Sequence, residues 1–457
     1  MNLLVKDKCF YKKMAVIAIP ISLQSMITIG VNMTDTVMVG KLGETSLSAT
    51  ALANQFVNIY QICCMGIAMG ASVLTSRFWG MQDITSLKKT ITLMLRLCIV
   101  LAVLFMLPTI LIPQLLMRMY TNDSAVIAQG VQYFKWMVYC YFLQGMTMTC
   151  TIVLRSVGQV NFPLFTSIGS FFVNILFNYV FIFGKLGVPR MEVEGAGVGT
   201  LIARVFEFSL ICGYFLFVDR KIGYRLKDLR MKCNSLIKDY VSISIPVFVS
   251  DSLLALGTSA VAMVMGRIGT GFVSANSITV VTQQLTTVII QGICHASCIM
   301  TGHTLGQGER EKAQQQAWTF LILGLVVGIL GGGLIKVLSR PIIGLYNITP
   351  ETAQIAGELM DAIAFIVIFQ SMNSILTKGV LRGGGDTKFL MVADIIFLWA
   401  ASLPLGILAG LVWHLDAFWI YVFLKIDQIC KSIWCVFRLR SGKWIKTFSK
   451  EKMNHAQ

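Results

Sequence analysis

The sequence predicts an all-α polytopic membrane protein, with twelve transmembrane helices in two six-helix pseudo-symmetric bundles. Three observations carry that prediction. The first is composition: the 457 residues are 56% hydrophobic and only 13% charged, with a mean hydropathy of +0.73, whereas soluble chains carry roughly 25% charge. The second is segmentation, because the apolar residues fall in runs of about 20, the length of a helix that crosses a bilayer. The third is an internal repeat. At an offset of 226 residues, Pro20 falls on Pro246, Gly40 on Gly266, Gly43 on Gly269, Gly66 on Gly292, Thr75 on Thr301 and Gly80 on Gly306. Prolines and glycines hold backbone roles that other residues fill poorly, so these matches weigh more than their number.

The runs place helices at 14–38, 47–75, 89–112, 128–154, 161–184, 195–218, 239–265, 273–301, 316–338, 354–380, 387–411 and 416–438. The first residues, MNLLVKDKCFYKK, lack a cleavable-signal pattern, so helix 1 is expected to remain as a span. It carries Pro20 and, deep in the apolar run, Asn32 and Asp35, which share a face. Helix 2 adds Gln55, Asn58 and Gln61. Helix 5 carries Asn174 and Asn178, four apart on one face. Helix 6 carries Arg204 and Glu207 at pairing distance. The longest polar stretch, 219–239, joins an N-lobe of residues 1–218 to a C-lobe of residues 240–457 that ends in a basic tail. In the C-lobe, helix 7 carries Pro246 and Asp251, helix 8 Gln283, Gln284 and His295, helix 10 Asn373, helix 11 Asp394, and helix 12 Asp427 and Lys431. The repeat extends to Tyr120 with Tyr346, and to "LRSVGQ" at 154–159 with "LRGGGD" at 381–386.

Charge is distributed by side. Of the 38 Lys and Arg, 25 lie in or at the borders of the termini and alternate connections, and 7 on the opposite side. That asymmetry predicts both termini in the cytoplasm. It also makes the net charge of +16 a topology signal, so no nucleic-acid partner is expected. The twelve cysteines sit mostly in apolar runs, as small buried hydrophobes do. No disulfide framework or zinc spacing is apparent. No paired His/Glu metal motif, nucleophile motif or phosphate loop occurs, which argues against an enzyme, ATP drive or a cofactor. Six helices per repeat give both halves the same orientation. Parallel repeats of this kind are a transporter architecture, with a site between halves that rock between two access states.

The stretches "IPISLQSMITIGVNMTDTVMVGKLGETSLSA", "MGIAMGASVLTSRFWGMQD", "LRSVGQVNFP", "NILFNYVFIFGKLG", "EGAGVGTLIAR" and "LRGGGDTKF", in this order, resemble the multidrug and toxic compound extrusion (MATE) transporters. The resemblance covers nearly the whole chain. It implies cation-coupled antiport of small organic compounds, cationic or amphipathic, against H+ or Na+, by a bacterial inner-membrane protein that works as a monomer among membrane lipids. One branch of the family places a glutamate eight residues after the helix 7 proline, where this chain has Leu254, and an aspartate three residues after a helix 10 glutamine, where Gln370 is followed by Asn373. Another branch uses a helix 1 aspartate, matched by Asp35, with helix 5 partners matched by Asn174 and Asn178 and a helix 6 threonine matched by Thr200. The second acid of that branch is an amide here.

An acid at depth can exchange a proton for a cation, and neighbouring amide oxygens can complete a hard-cation shell or bond the protonated acid. Asp35 is therefore the expected coupling residue, with Asn32, Asn174, Asn178 and Thr200 around it; no metal other than Na+ is expected. Asp251 is either a second protonatable group or a structural hydrogen-bonding residue beside Pro246. Arg204 with Glu207, and Asp394, Asp427 and Lys431, read as structural polar residues, and His295 as a buried one. Gln55, Asn58, Gln61, Gln283, Gln284 and Asn373 are expected to line the cavity. Pro20 and Pro246 are expected to bend their helices. The alternative function is a flippase for lipids or lipid-linked precursors within the same superfamily.

Overall fold

The computed structural model describes residues 4–344 and 348–447. The counterpart Tyr346 and the basic tail beyond 447 lie outside the described residues. The chain forms α1 (Lys8–Gly40), α2 (Glu44–Gly80), α3 (Ile84–Leu111), α4 (Ser124–Ser156), α5 (Asn161–Phe183) and α6 (Glu192–Val218). After the basic connection come α7 (Asn234–Ile268), α8 (Thr270–Gly306), α9 (Arg310–Ile343), α10 (Pro350–Leu381) and α11 (Thr387–Val412), then two shorter helices, α12 (Ala417–Leu424) and α13 (Ile426–Arg440). Among the described residues, 11 helices are long and apolar enough to span a bilayer. No strand occurs among them. Many helices begin before their apolar runs, α1 at Lys8, because residues outside the hydrocarbon still gain from continuing the helical hydrogen bonds.

The twelfth predicted helix, 416–438, is broken at Lys425, between α12 and α13. The backbone N–H of Asp427 leaves the helical ladder and donates to Ser402 Oγ of α11 at 2.9 Å. Apolar periodicity carries no trace of such a bond. α11 contains two wide π-type stretches, Ile395–Ser402 and Leu408–Val412, and α10 ends in another, Ile375–Leu381. Pro404 lies just after the first, where a missing N–H loosens the ladder.

Two compact units form. The first holds Leu23–Thr75 and Asp83–Ser244; the second holds the chain up to Ser22, Ser76–Gln82 and the chain from Ile245 onward. The divisions within α1 and α7 therefore fall beside Pro20 and Pro246. The first unit is built on a core of Val57, Tyr60, Phe134, Met137 and Tyr141 from α2 and α4. The core of the second includes Val261, Phe272, Ile363, Ile366 and Tyr421. Within the second unit, Gly328 and Gly332 of α9 lie against Ile368 and Ala364 of α10 so closely that a Cβ on either would meet backbone. Small residues four apart permit this approach where water supplies no driving force between helices.

The basic connection is fastened to α3 of the first unit. Lys88 Nζ lies 2.9 Å from Asp228 and donates to Gly223 O at 2.6 Å. Arg96 donates to Leu229 O at 2.6 Å, and the Tyr224 and Thr92 hydroxyls are 3.0 Å apart. Burial works against the Asp228 charge, but the Lys88 ammonium and the Arg225 backbone N–H outweigh it and hold the carboxyl below the usual aspartate value.

Candidate functional site

The first unit gathers an acid from α1 and two amides from α5. Asn178, 1% exposed, donates Nδ2 to Asp35 Oδ1 at 2.6 Å and to Asn174 Oδ1 at 3.3 Å. The four-residue spacing on α5 stacks the two amides on one face. Asn178 Oδ1 is buried with no partner. Gly199 of α6 makes this placement feasible: a methyl there would overlap that same oxygen. The α6 helix also brings Arg204, bonded to Glu207 at 2.8 Å, and the Arg204 charge is within electrostatic reach of Asp35. Tyr133 of α4 is within reach of Asp35 as well, and its hydroxyl donates to Asn54 of α2 at 3.2 Å. Asn32 is exposed one turn before Asp35, and Thr200 is half-buried. Among the described residues, neither bonds the carboxylate.

This arrangement has one ionisable oxygen pair and one buried carbonyl oxygen without a donor. It can hold a proton on Asp35 or a small hard cation between Asp35 and Asn178. The Asn178 amide donates to the charged acid; turned about its Cβ–Cγ bond, it would accept from the protonated one. Of the residues expected around Asp35, the structure joins Asn178 to it and Asn174 to Asn178, and Arg204 pairs with Glu207 within α6. Sequence reading missed Tyr133 and Asn54. These lie on separate helices, and nothing in their spacing relates them to Asp35.

The second unit treats its polar residues differently. Asp251 is paired with Arg382, Nη2 to Oδ1 at 3.0 Å, with side chains 15% and 5% exposed. Lys431, expected to interact within its own helix, lies 2.9 Å from Asp427 and also 3.0 Å from Asp394 of α11. Ser250 of α7 bonds the other Asp394 oxygen. Asn373, expected on a cavity surface, is instead 5% exposed and donates to Gln428 at 2.7 Å; the local break between α12 and α13 brings Gln428 within its reach. Gln283 donates to Gln370 at 3.0 Å. Gln55, Asn58 and Gln284 are exposed, while Gln61 and Gln283 are half-buried. Pro20 and Pro246 lie inside continuous helices.

The MatE family model matches residues 20–180 and 246–429. A probable multidrug resistance protein NorM of Thermotoga maritima is 24% identical over 441 residues, covering 95% of this chain and 93% of its own. The uncharacterized transporter YisQ of Bacillus subtilis is 25% identical over 419 residues, 90% of each chain. In fold, a crystal structure of a mutant of the Vibrio cholerae MATE transporter VcmN is similar, with a TM-score of 0.86 at 16% identity, covering 95% of this chain and 97% of that one.

Proposed function

Since this chain belongs to the MatE family, and so is a membrane transporter and not an enzyme, we propose that it exports small organic compounds, cationic or amphipathic, in exchange for H+ or Na+. The observation that carries the coupling is the 2.6 Å bond from Asn178 to Asp35, made beside an amide oxygen without a partner. Asp35 is the group that changes occupancy. Asn178 reads that change, because its amide has a donor for the charged acid and an acceptor for the protonated one. Asn174 holds Asn178 in place, and Thr200 and Asn32 complete the surroundings.

The switch is a bend of α1 near Pro20 and of α7 near Pro246, the two points beside which the compact units divide. It supports alternating access, with Gln55, Asn58 and Gln284 among the exposed polar residues of the spans open to substrate. The relatives' names, which speak of multidrug resistance, support efflux rather than the lipid-flippase alternative. The protein works as a monomer in the bacterial inner membrane with both termini in the cytoplasm, as the basic-residue asymmetry supports. A membrane potential supplies about 2.3 kcal/mol per charge per 100 mV.

The test is transport in proteoliposomes. A fluorescent organic cation is followed under an imposed proton or sodium gradient, for the native chain and Asp35→Asn. Gradient-driven movement by the native chain alone is expected. Equal movement by both removes the role of Asp35, and gradient-independent movement by the native chain removes antiport.

A further inference from the structure

Two polar rungs tie α1 to α5 inside the first unit, and their spacing matches on the two helices. The upper rung is the bond from Asn178 to Asp35, at 2.6 Å. The lower rung lies eleven residues earlier on both: Gln24 donates Nε2 to Ser167 Oγ at 2.8 Å. Eleven residues are close to three turns, roughly 16 Å of rise, so each helix returns the same face to its partner. Partner numbers rise together, so α1 and α5 run parallel. Between the rungs, Gly30 of α1 lies against α5, where a Cβ would stand 3.7 Å from the Phe171 ring. One register therefore holds from Gln24 to Asp35.

The lower rung is buried and has a direction. Gln24 and Ser167 are each 8% exposed. Arg155 of α4 donates Nη2 to Gln24 Oε1. A guanidinium has donors only, so it meets the oxygen of the Gln24 amide and leaves Nε2 for Ser167. Its charge strengthens that bond. The rung stands four residues after Pro20, between the turn that the proline loosens and Asp35.

The second unit repeats the lower rung without the upper one. Gln24 falls on Ser250 at the repeat offset of 226, and Ser167 on Asp394 at the offset of 227 that aligns "LRSVGQ" with "LRGGGD". Ser250 Oγ bonds Asp394 Oδ2. Arg155 falls on Arg382, which pairs at 3.0 Å with Asp251, the neighbour of Ser250. The counterparts of Asp35 and Asn178 are Val261 and Leu405, both apolar. The lower rung thus belongs to the frame that both halves share, and the upper rung was built on it in one half only.

We propose that Gln24, oriented by Arg155, is a positioning residue: through Ser167 it sets the register of α1 on α5 that brings Asp35 to Asn178. This rests on the reading of Asp35 as the coupling residue and adds the groups that aim the acid. A slip of one residue turns Asp35 by about 100° away from α5. Gln24 therefore governs an affinity without touching the coupling ion.

The experiment reads the register itself. In the full chain in phosphatidylcholine proteoliposomes, Asp35→Cys and Asn178→Cys are joined by a short bifunctional methanethiosulfonate. Peptide mass spectrometry follows the rate and separates this link from those of the native cysteines. Removing the upper rung in this way leaves the register to the lower one. Adding Gln24→Leu should slow the link roughly fivefold, the effect of one hydrogen bond. Gln24→Glu should keep the native rate, because its carboxylate accepts from both Arg155 and the Ser167 hydroxyl. Ser167→Ala removes the acceptor with little change of volume; it should slow the link as Gln24→Leu does, and it decides the matter if the leucine variant does not fold. A native rate in Gln24→Leu or Ser167→Ala overturns the proposal. So does a Gln24→Glu rate as slow as that of Gln24→Leu, since any change at this position would then disturb α1. In dye transport by the chain with Asp35 and Asn178 intact, Gln24→Leu should raise the ion concentration for half-maximal rate and add nothing to Asn178→Ala; additive effects count against positioning. The link rate needs neither gradient nor substrate, so failure of Asp35-coupled export leaves it readable.

Discussion

Lys431 of α13 and Asp394 of α11 lie 3.0 Å apart, across a helix boundary and almost wholly out of solvent, and the same ammonium holds Asp427 at 2.9 Å. Removing one partner of a buried pair leaves uncompensated charge and costs about 3–5 kcal/mol. Lys431→Met leaves two carboxylates facing each other. A marked drop in the midpoint of thermal unfolding in detergent is expected. Adding Asp394→Asn to Lys431→Met should recover part of the loss, because only one acid then remains. An unchanged midpoint in the single variant would show the triad to be structurally idle.

Asn178 is the amide that meets Asp35. Asn178→Ala deletes a hydrogen bond to a charged group, worth about 1.5–3 kcal/mol. Coupling-ion affinity should fall by at least tenfold, seen as a higher ion concentration for half-maximal dye transport. Asn178→Gln, which keeps the amide one carbon farther out, should not restore it.

Gly199 faces the oxygen of that amide. Gly199→Ala places a methyl where Asn178 Oδ1 lies, and overpacking of this kind costs about 1–3 kcal/mol. The variant should reproduce the Asn178→Ala transport defect without touching a polar group. Gly213→Ala, on the same helix with open space around it, is the control and should transport normally.

Asp228 fastens the basic connection through Lys88. Its carboxyl is held below the usual aspartate value, chiefly by Lys88 against the opposing effect of burial. A depressed acid contributes stability that is present above its unfolded pKa and lost as pH falls through the folded one. Proteolysis of the 219–233 segment should therefore accelerate under strong acid relative to neutral pH, using an acid-active protease. Asp228→Asn should be cleaved readily at both, and flatten the dependence. Equal acid acceleration in the variant would assign the effect elsewhere.

Much of the fold was legible because a bilayer imposes a one-dimensional rule. Apolar runs of about 20 residues must become helices, so α1 to α11 could be placed from sequence. The break at Lys425 was not legible, since it depends on Ser402, a residue of the preceding span that accepts the Asp427 N–H. The same holds within the sites. Asn174 and Asn178 share a face by spacing alone, and Arg204 reaches Glu207 within a turn. Tyr133, Asn54 and the Asp251–Arg382 pair required helices far apart in sequence to meet.

By itself the sequence determined that this is a membrane-embedded, internally repeated, helical transporter with an acid deep in its first span. Hydrophobicity, helical period and repeat offset are local or additive quantities, and one chain states them in full. The tertiary structure alone decided which polar groups neutralise one another: Asp35 is joined to a neutral amide, Asp251 to a guanidinium, and Lys431 to two acids. Electrostatic pairing in a low-dielectric interior depends on distances of a few ångströms between separate helices, and no spacing along the chain encodes those distances.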